Sequence, residues 1–456
     1  MSNNRHQQTI AAQATPPGRG GVAIIRVSGP NALTICQQIT NKKPTPRIAE
    51  YCHFYDQSGQ VVDLGLVLYF PNPHSFTGEE VVEFHGHGGP VVADLLLQRI
   101  LQLGAVIANP GEFSERAFLN GKIDLAQAEA IADLIDSCSK QAARCAVRSL
   151  QGDFSKQVTK VVEMVTKLRM FIEAAIDFPE EEVDFLEDDR INSELKRIFT
   201  ALDELLATAK QGALLREGIH VVIAGKPNAG KSSLLNCLSG REAAIVTEIP
   251  GTTRDLLKEQ ILLEGIPLHI IDTAGLRESD DIVEQEGVRR AWDQIKQSDR
   301  ILLVVDSSET EEWDPYLLWP QFRKIDLKEK QITVIRNKSD KTGEQPGIRY
   351  QGELCLITLS AKQQQGINFL REHLRQVVGA ETTTEGGFIA RQRHLEALRQ
   401  ARYYLQQAQD QFNHRLAGEL LAEDLRQCQQ VLGTITGEFT ADDLLGEIFS
   451  TFCIGK

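Results

Sequence analysis

The chain has 456 residues, 42% hydrophobic and 25% charged, with a formal net charge of −14. That length implies two to four domains, and the composition is ordinary for a soluble globular protein. The acidic balance excludes a chain-wide basic surface for nucleic acid, which would need clustered Lys and Arg, but leaves room for a local one.

No apolar run approaches the roughly 18 residues needed to cross a bilayer. The opening MSNNRHQQTIAAQATPPGRGG lacks the apolar core of a signal peptide. The eight cysteines stand singly without a CxxC pair, so neither a disulfide framework nor a zinc site is expected. A cytoplasmic protein without membrane attachment is the expectation.

Residues 21–104 read as mixed α+β. GVAIIRVSG and LGLVLYF have β-branched strand character, PVVADLLLQRILQLG is helical, and the turn-rich TPPGRGG and ANPGEFSERAFLNGK flank them. His85 and His87 in FHGHGG lack a cysteine or carboxylate to complete a metal set, so a turn is expected there. Residues 122–215 fit long amphipathic helices, with only Gly152, Gly212 and Pro179 as breakers. Lys140, Arg144 and Arg148 are spaced by four, with Lys156, Lys160, Lys167 and Arg169 beyond. A helix through them would present one basic face, either solvated or meeting a nucleic acid or a partner. The run DFPEEEVDFLEDD (177–189), with eight carboxylates and no base, reads as a solvated loop.

Beyond residue 215 the texture changes. HVVIAG, PLHIID, RILLVVD and QITVIRN are strand-like and helical stretches separate them, the pattern of a mostly parallel sheet covered by helices. After GAETTTEGG helical periodicity resumes in IARQRHLEALRQARYYLQQAQDQF and GELLAEDLRQCQQVL. Two helical segments thus bracket an α/β unit.

The α/β unit carries a nucleotide site. Gly225-Lys226-Pro227-Asn228-Ala229-Gly230-Lys231-Ser232 matches G-x-x-x-x-G-K-[ST] between a strand and a helix. Its glycines let backbone N–H groups wrap phosphate, Lys231 reaches the β- and γ-phosphates, and the Ser232 hydroxyl can ligate Mg²⁺. In Asp272-Thr273-Ala274-Gly275 the carboxylate suits the metal shell and the glycine N–H the γ-phosphate. Pro250-Gly251-Thr252-Thr253-Arg254-Asp255 offers a threonine to the metal. In Asn337-Lys338-Ser339-Asp340 the final carboxylate accepts from two donors that guanine has and adenine lacks, which selects GTP over ATP. Ser360-Ala361-Lys362 would close over the base. Five motifs in this order specify a guanine-nucleotide site. Leu276 stands where Ras-like switches carry the water-orienting glutamine, and Arg254 and Arg277 are merely nearby, so the attacking water needs another orienter.

Further segments are ATPPGRGGVAIIRVSG (14–29), SFTGEEVVEFHGHGG (75–89), NPGEFSERAFLNGKIDLAQAEAIADLI (109–135) and GEFTADDLLGEIFSTFCIGK (437–456), the last ending in Phe-Cys-Ile-Gly-Lys. With GKPNAGKSSLLN, PGTTRD and IIDTAGLRE, they make the chain resemble the MnmE (TrmE) family of tRNA-modification GTPases over its whole length. The resemblance implies a folate-binding and dimerisation domain (1–121), a helical domain in two parts (122–215 and 379–456), and an inserted P-loop G domain (216–378). It implies a homodimer that joins the flavoprotein MnmG in a heterotetramer. That complex adds a carboxymethylaminomethyl or aminomethyl group at position 5 of the wobble uridine of certain tRNAs. The one-carbon unit comes from a tetrahydrofolate derivative (5,10-methylene or 5-formyl form), with FAD and NADH on the partner.

By resemblance, GTP or GDP contacts fall on Asn228, Ala229, Gly230, Lys231, Ser232 and Ser233, and on Thr247, Glu248, Ile249, Pro250, Gly251, Thr252 and Thr253. Others fall on Asp272, Thr273, Ala274, Gly275, Asn337, Lys338, Asp340, Ser360, Ala361 and Lys362. K⁺ falls to Asn228, Thr247, Ile249 and Thr252, and Mg²⁺ to Ser232 and Thr253. Lys231 and Asp272 serve catalysis, and Glu284 matches the glutamate that orients the hydrolytic water. Folate falls to Arg26, Glu83, Lys122 and Lys456, and Cys453 is either a small buried hydrophobe or a thiol near the one-carbon unit. A bound K⁺ neutralises charge between the β- and γ-phosphates as an arginine finger does, a contribution worth roughly 10³–10⁵ in rate. The alternative function is a regulatory RNA-binding or ribosome-assembly GTPase switch. The GEEVVEFHGHGG segment and the terminal Cys-Ile-Gly-Lys favour the modification enzyme.

Overall fold

The computed structural model describes residues 7–177, 189–239, 258–263, 265–272, 292, 295–324, 331–378, 387–413, 418–438 and 442–455. The chain forms two compact units, Met1–Ala132 with Ser149–Leu202 and Ala397–Lys456, and Asp133–Arg148 with Asp203–Glu396.

The N-terminal part of the first unit contains β1 (Ile10–Gln13), β2 (Gly20–Ser28), α1 (Ala32–Thr40), β3 (Glu50–Tyr55), β4 (Val61–Phe70), β5 (Val81–Gly88), α2 (Pro90–Gln102), β6 (Val106–Ile107) and α3 (Glu112–Leu119). The sheet order is β3-β4-β5-β2-β1-β6, antiparallel except for the β1–β6 pair. Burial alternates along β2, as a strand with one covered face requires. Ile25, Val27, Phe54 and Phe84 of the sheet share a core with Ile35 of α1 and Leu96 and Ile100 of α2. The FHGHGG segment does not turn where its glycines suggested. It extends as β5, because Gly86 and Gly88 serve close packing instead: a Cβ on Gly88 would lie 2.4 Å from the Gly20 carbonyl oxygen.

Next come α4 (Leu125–Ile135), α5 (Lys140–Leu150), α6 (Asp153–Asp177) and α7 (Asp189–Glu217). The expected single basic helix is in fact two. Gly152, at φ +82°, stands between α5 and α6, so the seven bases do not lie on one continuous helix.

The nucleotide sheet is built from β7 (Ile219–Ala224), β8 (Lys258–Leu263), β9 (Ile266–Asp272), β10 (Arg300–Asp306), β11 (Ile332–Asn337), β12 (Gly347–Gln351) and β13 (Leu354–Thr358), with α8 (Lys231–Ser239) and α9 (Ile367–Val378). Its order is β12-β13-β11-β10-β7-β9-β8, parallel but for antiparallel pairs at both edges. The central strands are buried along nearly their whole length, which explains their continuous apolar runs. The mostly parallel sheet expected from the alternating pattern is therefore present.

The chain ends with α10 (Gln392–Asn413), α11 (Gly418–Thr436) and α12 (Asp442–Ser450). In the first unit α11 lies against α6, where Arg169 donates to Gln429 Oε1 at 2.7 Å and Gly418 leaves room for Ile176. Helical segments from either side of the nucleotide sheet thus pack together. Among the described residues no helix is long and apolar enough to cross a membrane.

Candidate functional site

The phosphate loop leaves β7 at Ala224 and enters α8 at Lys231. Gly225 has φ +151° and Gly230 φ +96°, and between them Asn228 adopts φ +63°. Glycine is required at both ends by space as well as by dihedral. A Cβ on Gly225 would lie 2.3 Å from the Val304 carbonyl oxygen, and one on Gly230 would lie 2.2 Å from Asn337 Nδ2. The Lys231 ammonium donates to the carbonyls of Gly225 and Lys226 at 3.0 and 3.2 Å, so its charge sits inside the loop. Ser232 and Ser233 are exposed at the start of α8, where free backbone donors and the helix dipole favour an anion. These features fit a nucleotide phosphate.

The base-recognition loops are tied to this loop through the buried Asn337. Its Nδ2 donates to the Ala229 carbonyl at 2.9 Å, while its Oδ1 accepts from the backbone N–H groups of Lys338 and Ala361 at 2.8 and 3.0 Å. Ser360 Oγ donates to Asp340 Oδ1 at 2.5 Å, which brings the closing loop against the carboxylate expected to read guanine. Asp340 is itself exposed. Asp272 ends β9, whose register places it opposite Ile223 of β7. The structure therefore gathers the loop residues 228–233 with Asn337, Lys338, Asp340, Ser360, Ala361 and Lys362 in one sheet end. The residues 247–253, Thr273, Ala274, Gly275 and Glu284 lie outside the described residues.

Asp306 escaped the sequence reading. It ends β10 directly opposite Asn337 of β11, and its Oδ2 accepts from the Lys338 ammonium at 2.6 Å. Burial alone would raise its pKa, but the hydrogen bonds from Lys338 and Ser308 outweigh burial and hold the carboxyl at about 2. Lys338 sits in left-handed backbone at φ +66°, so this pair fixes a strained loop residue. The available signal was an acid closing an apolar strand.

A second polar site lies in the first unit. Arg26 Nε donates to Glu83 Oε1 at 2.9 Å, and His85 Nε2 stands 3.2 Å from Glu83 Oε2. The Arg26 guanidinium lies 5.8 and 5.6 Å from the ring centres of Phe76 and Phe113. Arg26 also donates to the Gly455 carbonyl at 3.5 Å, so the end of the chain reaches this site. The tail is docked: Phe449 and Phe452 are buried, Gly111 N–H donates to the Cys453 carbonyl, and Ile454 bridges to Pro110. Gly455, at φ +96°, approaches so closely that a Cβ there would lie 2.3 Å from the Gln13 carbonyl oxygen. Cys453 is exposed, so packing does not account for its thiol. The Lys122 ammonium donates instead to the Pro73 carbonyl at 2.8 Å, and Lys456 lies outside the described residues.

Behind this site is a buried ion cluster that sequence reasoning missed. Arg116 is 1% exposed and donates to Glu112, Glu79 and the Gln8 carbonyl. Glu79 in turn accepts from Ser28, two residues along β2 from Arg26. A charge this deep is held only by such partners.

The chain matches the profile of the MnmE helical domain over residues 125–453 and that of the GTP-binding protein TrmE N-terminus over residues 9–122. It is 59% identical over 449 residues to the tRNA modification GTPase MnmE of Proteus mirabilis, covering 98% of this chain and 99% of that protein. It is 59% identical over 451 residues to the protein of the same name from Pasteurella multocida, covering 99% of this chain and 100% of that protein. A GTP-binding protein of Sulfolobus solfataricus solved with GDP aligns with 60% of this chain and 79% of its own at 17% identity, with a TM-score of 0.26.

Asp306 yields a prediction with a defined sign. Its folded pKa is depressed from 3.8 to about 2, so the pair with Lys338 stabilises above the unfolded pKa and that contribution is lost as pH falls through the folded one. Urea unfolding should find Asp306→Asn less stable than the parent by roughly 2 kcal/mol at pH 7, with the gap closing as pH falls from 4 towards 2. A gap that is absent at pH 7, or that does not change with pH, would contradict the assignment.

Proposed function

Because the chain belongs to the MnmE (TrmE) family of tRNA-modification GTPases, we propose that it works as the potassium-dependent, folate-using member of a two-protein wobble-uridine modification complex. Membership makes it a GTP hydrolase acting in tRNA modification. The proposal adds the parts. Residues 1–121 bind folate and pair two copies in a cytoplasmic homodimer, 122–215 and 379–456 form the helical domain, and 216–378 form the G domain. The partner is the flavoprotein MnmG, which supplies FAD and NADH, and the product carries a carboxymethylaminomethyl or aminomethyl group at uridine position 5.

At the nucleotide site, Lys231 meets the β- and γ-phosphates, while Ser232 and Thr253 hold Mg²⁺ with Asp272 close to the metal. Asn228, Thr247, Ile249 and Thr252 hold K⁺, which supplies positive charge where Ras-like enzymes receive an arginine finger. With Leu276 unable to orient water, Glu284 takes that role. Asn228 supports the cation reading because it is exposed in left-handed backbone at the mouth of the phosphate loop. At the second site Arg26, Glu83, Lys122 and Lys456 hold the folate, and the exposed Cys453 thiol stands close to its one-carbon unit.

The observation that carries the modification reading is the docked tail. Gly455 reaches Arg26, and Phe452 is buried against Phe449. A pure nucleotide switch has no use for a chain end fixed beside an Arg–Glu pair. A folate site there does.

Two outcomes follow. GTP turnover in KCl should exceed that in NaCl at equal ionic strength by well over ~10-fold, a floor set below the roughly 10³–10⁵ of an arginine finger, and Asn228→Ala should erase the difference. Equal turnover in the two salts would refute the cation model. Deleting residues 453–456 should abolish wobble modification, measured by nucleoside analysis of tRNA from cells carrying only the truncated chain, while GTP turnover of the purified protein persists. Normal modification by the truncated chain would overturn the assignment of the second site.

A further inference from the structure

One buried carboxylate holds the chain where it goes into the nucleotide sheet and where it leaves it. Asp133, in the last turn of α4, has a side chain only 5% exposed. It accepts from Arg216 Nε at 2.7 Å, and from Arg391 through its terminal nitrogen at 2.8 Å and Nε at 3.3 Å. Arg216 lies at the end of α7, just before β7 opens at Ile219. Arg391 immediately precedes α10, on the segment that follows the sheet and α9. The two arginines are 175 positions apart by number and share one acid.

The same junction is packed without slack. A Cβ on Gly212 of α7 would lie 2.1 Å from the Phe388 carbonyl oxygen, so the outgoing backbone runs directly against the incoming helix. Leu215, Ile219 and Ile389 share one core with Ala142 and Ala146 of α5 and with the sheet residues Val221 and Leu268. The Arg391 N–H donates to His394 Nδ1 at 3.0 Å, which fixes the first turn of α10. Neither Asp133 nor its arginines belong to the nucleotide motifs.

We propose that Asp133 is a positioning residue that couples the nucleotide cycle to tRNA modification. By holding α7 and α10 at a single point, it makes any displacement of the nucleotide sheet reach both helices together. The partners are two permanently charged guanidiniums, and Arg216 also donates to Glu217 at 3.2 Å. Without the Asp133 charge the two guanidiniums lose the acid they share, and the junction loosens. This inference rests on the modification reading given above.

The test is Asp133→Asn, which keeps the shape and removes the charge. The full-length protein and its modification partner are assayed together for GTP hydrolysed and for modified uridine formed. Nucleotide affinity and hydrolysis should stay within about twofold of the parent, while modified uridine per GTP falls at least roughly tenfold, within the usual range of coupling between sites. A merely structural role would lower both outputs with the folded fraction and leave their ratio at the parental value, and that result overturns the proposal. Should Asp133→Asn fail to fold, Arg391→Lys decides, since it keeps the charge but gives up the two-point hold. Its ratio should fall about threefold or more, and an unchanged ratio overturns the proposal. If the parent itself makes no modified uridine in this assay, the functional reading fails rather than the coupling role.

Discussion

The nucleotide site depends on one side-chain amide. Asn337 donates to the phosphate loop at Ala229 and accepts from Lys338 and Ala361, so three loops that approach the ligand from different strands share a single fixed point. At 2% exposure its amide has little water to fall back on, and every one of those bonds matters. The position explains its neighbours. Gly230 must lack a side chain because Asn337 Nδ2 occupies the space a Cβ would take. Lys338 is held in a strained backbone by Asp306, and Ser360 turns its hydroxyl to Asp340. The phosphate loop and the two loops that carry the candidate base-reading residues are therefore one construction.

The first unit shows the same economy at a different site. β5 places Glu83 opposite Arg26 of β2, and the buried Arg116 cluster braces β2 from behind through Glu79 and Ser28. The tail meets β2 through the Arg26 side chain and lies backbone to backbone against the end of the neighbouring β1, where Gly455 approaches Gln13. An exposed thiol at Cys453 beside a buried Phe452 is then the consequence of how the tail is anchored.

Much of this was legible in the sequence because motif residues there answer local backbone demands. Gly225 and Gly230 stand where the chain turns with positive φ, and the central sheet strands are continuous apolar runs because they are buried along nearly their whole length. Other features resist such reading. Arg116, Asp306 and Asp133 each reach a charged partner far along the chain, 37, 32 and 258 positions away, and no periodicity marks those pairings. The basic residues from Lys140 onward have helical spacing across Gly152, yet that glycine ends the helix. Glycines mislead in the other direction in FHGHGG, where they permit strand packing rather than a turn. Spacing reveals what is repeated, while a single buried ion pair is visible only once the chain has folded.

The most direct test of the central claim is a nucleotide titration of Asn337→Asp. This change replaces one donor by an acceptor at nearly constant volume, so it strikes the bond to the Ala229 carbonyl without opening a cavity. The account predicts that GDP and GTP affinity fall by at least ~10-fold, the cost of a lost buried hydrogen bond with its acceptor left unpaired, while thermal unfolding stays cooperative. Parental affinity for both nucleotides in the folded variant would show that the loops do not depend on a shared amide.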